Sequence, residues 1–198
     1  MPKHNRHGQS SILSDRDFLE IKKNLESFRD RLIVDILTYT GERIGAVLKL
    51  QLSDVYLSPS KGEPNEFITF RASTRKADTK GIRRTRQLPM HGELKLALQG
   101  YRPCIDLSSV WLFPGKDKSK PLTLQAFDLN FRHALTAAKL SHKGISTHSF
   151  RRTLITRLHE RGCDIRLIQE ITGHQDLKSL QRYVEVAPER VREAIASL

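Results

Sequence analysis

The sequence predicts a mainly α-helical domain that carries one small antiparallel β-hairpin. Three observations carry that reading. Apolar residues recur at helical spacing over most of the chain, the runs open on Ser, Thr or Asp and stop at Gly, and two short β-prone segments, "FITFRAST" and "RRTRQLPM", interrupt them. With 198 residues the chain is long enough to bury a core of its own.

The elements follow in order. Residues 1–12 are polar and basic without periodicity and read as a flexible tail, either plainly disordered or an arm that reaches for DNA. Ser14 caps a first helix with Phe18, Ile21 and Leu25 on one face, and "FRDRLIVDILTYTG" forms a second that Gly41 stops. Ile44, Val47 and Leu48 mark a short helix, and "SPSKGEPNE" reads as a surface loop. The two β-prone segments flank "RKADTKGI", where Asp78 and Gly81 supply turn chemistry, and Pro89 ends the second strand. Further helices follow in "GELKLALQGY", "TLQAFDLNFRHALTAAKL" capped by Thr123, "THSFRRTLITRLHERG" stopped by Gly162, and "DIRLIQEITG" capped by Asp164. "LKSLQRYV" and "APERVREAIASL" complete the helical set.

Charge narrows the partner. The chain holds 34 Lys and Arg against 22 Asp and Glu, a formal net charge of +12. Such an excess favours a polyanion: nucleic acid first, then an anionic membrane surface or an acidic protein. No apolar run reaches the length of a membrane span and the N-terminus lacks an apolar signal core, so a cytoplasmic, nucleoid-associated protein is expected. Cys104 and Cys163 are isolated from each other and from any Cys/His cluster, which points to neither a disulfide framework nor a structural zinc. Between Arg71 and Arg86 the charge concentrates. Arg71, Arg75, Lys76, Lys80, Arg83, Arg84 and Arg86 face one acid, Asp78, and suit a DNA backbone or minor groove, or else a charged sheet edge that resists aggregation.

Four short motifs remain: "TGERIGAVLKLQLSDV" with Arg43, "HSFR" with His148 and Arg151, "TGH" with His174, and "QRY" with Tyr183. Singly each is weak. In this order and at these spacings they resemble the signature of the tyrosine recombinases, the phage integrase family, over residues 14–186. The resemblance implies the DNA breaking-rejoining catalytic-domain fold over residues 13–186, with Tyr183 as the nucleophile that forms a 3′-phosphotyrosyl link and frees a 5′-hydroxyl. It further implies Arg43 and Arg151 as the clamp on the scissile phosphate, His174 as a donor to the same phosphate, and His148 as proton acceptor or positioning group for Tyr183. A lysine of the hairpin donates the proton to the leaving oxygen. Lys76 and Lys80 both qualify, and Lys76 is preferred as the residue at the end of a strand.

Physical chemistry gives the same set a purpose. Charge gathers on the non-bridging oxygens as the phosphodiester passes through its five-coordinate transition state, and preorganised planar guanidiniums stabilise it without a metal. A phosphotyrosyl diester keeps the energy of the broken bond, so rejoining needs no ATP or other cofactor.

The sequence also departs from the family pattern. Arg152 stands where many relatives carry histidine and joins the expected DNA contacts, Glu42 sets an acid beside Arg43, and residues 58–66 read as an insertion. The chain starts near the first catalytic-domain helix, an architecture similar to the short recombinases of fimbrial phase switches, which lack the N-terminal core-binding domain. Residues 187–198 form an amphipathic helix with Val191, Ala194, Ile195 and Leu198 on one side, which either packs on its own core or docks on a neighbouring subunit. The expected function is site-specific recombination of double-stranded DNA, by integration, excision or inversion within a homotetramer. A DNA-binding accessory protein without its own recombination activity, and a relaxing enzyme of the type IB topoisomerase kind, are the competing readings.

Overall fold

The computed structural model describes residues 10–75, 77, 81–174, 177, 180, 192, 195 and 196. Helix α1 (Asp15–Asn24) begins at the expected cap: Asp17 N–H donates to Ser14 Oγ at 3.1 Å while Ser14 N–H donates back to the Asp17 carboxylate at 3.2 Å. Helix α2 (Phe28–Thr40) opens on Ser27 and ends at Gly41, whose φ of 57° a side chain rarely adopts. It carries buried residues on nearly every side, including Ile33, Val34, Ile36 and Leu37, because it is the central helix of the domain. Around it pack α5 (Gly92–Tyr101), α6 (Leu124–Ala137) and α7 (Thr147–Glu160). Phe127 and Phe131 of α6 and Phe150 of α7 form an aromatic row inside that packing.

Two short helices, α3 (Ile44–Val47) and α4 (Leu52–Val55), turn the chain from α2 into the β region. The stretch expected as a plain surface loop is paired instead. Strand β1 (Tyr56–Ser58) runs antiparallel to β2 (Glu63–Pro64) across a 3₁₀ turn, Pro59–Lys61, that Gly62 closes at φ 68°. Buried Tyr56 fixes it by donating its hydroxyl to Leu98 O at 2.7 Å, a tertiary anchor that the polar, turn-rich local sequence hides.

The expected hairpin forms, with shorter strands. Strand β3 (Phe67–Phe70) pairs with β4 (Arg86–Pro89) in the register Phe67–Pro89, Ile68–Leu88, Thr69–Gln87 and Phe70–Arg86. Beyond Phe70 the chain turns at once into a 3₁₀ segment, Ala72–Thr74. Lys76 is therefore well past the end of the strand on which its preference over Lys80 rested, and both lysines lie outside the described residues.

Helix α8 (Ile165–Thr172) starts at Asp164, whose carboxylate accepts from Arg166 N–H at 2.7 Å, and ends at Gly173 with φ 64°. A second, smaller apolar cluster joins Ile155 of α7, Ile168 of α8 and Leu180. Leu180 is fully buried against α7 and α8. Tyr183 and most of the stretch 187–198 expected as a last helix lie outside the described residues. No helix among the described residues is long and apolar enough to cross a membrane.

Candidate active site

The site begins where α2 stops. Gly41 turns the chain sharply, and Arg43 then sits at the N-terminal boundary of α3, half-buried, its backbone N–H donating to Glu42 Oε1 at 2.9 Å. Among the described residues no carboxylate pairs with the Arg43 guanidinium.

Arg151 comes to the same place from α7. It is only 5% exposed, and its Nη1 donates to Gly41 O at 2.7 Å, two residues before Arg43. Its Nη2 lies 3.2 and 3.3 Å from the two ring nitrogens of His174. Thr172 Oγ1 donates to Ile168 O at 2.6 Å and accepts from His174 Nδ1 at 2.7 Å, so the ring is oriented by the last turn of α8. Three separate stretches of sequence thus meet around one guanidinium. The packing there is tight: a Cβ at Gly41 would fall 2.8 Å from Leu154 Cδ2. His148 lies one turn before Arg151 on α7 and is exposed, as the H-x-x-R spacing implies for a helix.

The basic residues of the hairpin divide into two kinds. Arg86, expected on DNA, is 8% exposed and turns inward: Nη1 donates to Glu42 Oε2 at 2.7 Å and to Thr172 O at 3.1 Å, and Nη2 donates to Thr40 O at 2.9 Å and to Ile171 O. Burial pulls its pKa down to about 10 against the supporting charge of Glu42, and the group remains a cation at neutral pH. Arg75, also expected on DNA, is held by Glu42 Oε2 at 3.2 Å and by Arg84 O at 2.9 Å, with 11% of its side chain exposed. These two arginines serve the protein interior. The pleat offered the clue for Arg86, since β4 alternates inward and outward and puts Arg86 on the same face as Leu88.

Arg71 bonds Asp54 at 2.7 Å and Ser53 at 3.0 Å yet stays partly exposed, while Arg83 and Arg84 are exposed on the second leg of the hairpin. Arg152, the other expected DNA contact, is half-buried and donates to Ser10 O at 2.8 Å, so it holds Ser10 against α7. In the sequence Glu42 stands out only as an acid beside Arg43, and nothing there marks Thr172 as the residue that orients His174. The positive φ of Gly173 and the 2.6 Å that would separate its Cβ from Arg75 Nη2 explain why the turn before His174 holds glycine.

The sequence profile of the phage integrase family matches residues 13–190. Tyrosine recombinase XerD of Yersinia pestis is 28% identical over 199 residues, covering 98% of this chain and 60% of that protein, so the chain spans about 60% of the length of this relative. The catalytic domain of bacteriophage HP1 integrase superposes with a TM-score of 0.61 at 25% identity and covers 95% of each chain. The XerH site-specific recombinase bound to its difH substrate before cleavage superposes with a TM-score of 0.70 at 19% identity, over 98% of this chain and 55% of that one, a likeness of fold. With its four motifs in order, its helical fold and a family match over nearly its whole length, the chain belongs to the phage integrase family of tyrosine recombinases.

Proposed function

We propose that the chain is the catalytic domain of a site-specific DNA recombinase that breaks and rejoins strands through Tyr183. The observation that carries this reading is Arg151, buried between the carbonyl of the Arg43 loop and the ring of His174. A phosphodiester seated beside Arg43 and Arg151 meets two permanently charged forks, and the ring of His174, oriented by Thr172, adds a donor to the same phosphate. The Tyr183 oxygen attacks phosphorus, His148 accepts or steers the phenolic proton, and the 5′-oxygen leaves with a proton from Lys76 or Lys80. Attack of a 5′-hydroxyl from another strand reverses the step, restores the tyrosine and completes the exchange.

The partner in this reading is double-stranded DNA, bound through Arg71, Arg83 and Arg84 at the hairpin, in a nucleoid-associated homotetramer. Residues 187–198 dock in trans in that assembly. Ile195 supports this, being 66% exposed although it lies on the apolar side of the last helix. Sequencing the junctions made when the protein acts on supercoiled plasmids carrying DNA from its own genome tests the reading. Recombinant junctions at a recurrent short site are expected, and relaxed circles without recombinants would instead make the domain a relaxing enzyme of the type IB kind.

A further inference from the structure

The scheme above leaves one buried carboxylate without a task. Glu42 is 2% exposed, and each of its oxygens is taken up by a different part of the site. Oε1 accepts from the backbone N–H of Arg43 at 2.9 Å, and Oε2 accepts from Arg86 at 2.7 Å and from Arg75 at 3.2 Å. Arg86 continues to the carbonyls of Ile171 and Thr172 at the end of α8, directly before Gly173 and His174. Arg75 continues to Arg84 O, which ties the two described legs of the hairpin to each other.

We propose that Glu42 is a positioning residue for strand cleavage, the shared counter-charge that fixes the two described legs of the hairpin, at Arg75 and Arg86, and the end of α8 before His174 against the Arg43 turn. The inference rests on the strand-cleavage reading of the site. Electrostatics supplies the reason for an acid at this position: Arg86 lies buried among other cations, with both Arg75 and Arg43 acting against its charge, and Glu42 is the carboxylate that offsets them. Without it Arg75 has no ionic reason to stay inside, and the tie between the two legs of the hairpin is lost. Losing the carboxylate leaves Arg86 buried without its counter-charge and lowers stability as well, while the apolar contacts around α2 are untouched. A displacement of the proton donor by about 1 Å is enough to slow a reaction on the order of a hundredfold.

The test compares the intact chain with Glu42→Gln by amide hydrogen exchange and by nicking of supercoiled plasmid across pH. Exchange in 71–86 and 171–174 is expected to rise roughly tenfold or more with α6 unchanged. Nicking is expected to slow by about 10 to 100-fold and to change the shape of its pH profile. Unchanged exchange in both segments, or a profile of the same shape lowered evenly across pH, overturns the proposal. Should Glu42→Gln fail to fold, Arg75→Gln releases only the hairpin leg: faster exchange in 71–86 but not in 171–174 supports the coupling, and no change in 71–86 overturns it. Tyr183→Phe runs beside both variants. Nicking that survives its loss would overturn the reaction reading, while the exchange measurements still decide the coupling.

Discussion

Arg43 and Arg86 belong to one centre and to one excess of positive charge, yet their surroundings are opposite. Arg86 is buried, and its terminal nitrogens are taken by Glu42, Thr40 O, Ile171 O and Thr172 O. Arg43 is half-buried on the turn after α2, with no carboxylate on its guanidinium among the described residues. A guanidinium whose donors end inside the protein holds elements together; one whose donors remain available can meet a phosphate. Arg151 stands between the two, with one nitrogen given to Gly41 O and another at His174. Basic residues crowd this hairpin, so charge in the sequence is a poor guide to role and burial decides.

Substitutions at these arginines sharpen or break the contrast. Arg43→Ala is expected to lower the rate of covalent adduct formation by about 10²–10³-fold with an unchanged melting temperature. A large loss of stability there would break the contrast. Arg86→Met is expected to cost about 3–5 kcal/mol in denaturant unfolding, because Glu42 loses its nearest counter-charge in a buried setting. Gly173→Ala should cost roughly 1–2 kcal/mol for its left-handed backbone and also displace Arg75. Smallest is the effect of the exposed pair. Arg83→Gln and Arg84→Gln should each lower the slope of log affinity against log salt by about 0.9 in DNA titrations, with the melting temperature unchanged.

The helices were legible because their signals are local. Ser14, Thr123 and Asp164 cap where their side chains reach the first free amides, and Gly41 and Gly173 stop helices where the backbone turns left-handed. The motif residues Arg43, His148, Arg151 and His174 were legible through their order and spacing. What stayed hidden depends on partners distant in sequence. The β1–β2 pair is held by Tyr56 reaching Leu98, and the inward turn of Arg86 needs Glu42 and the end of α8. Lys76 was preferred on the expectation of a longer β3, and the strand's end at Phe70 removes that reason.

The most direct measurement treats supercoiled plasmid with the wild-type chain and with Tyr183→Phe in EDTA at low salt, followed by a detergent quench. Relaxed circles and covalent protein-DNA adducts are expected from the wild type alone. Adducts from Tyr183→Phe as well, or binding of DNA by both proteins without cleavage by either, would contradict this.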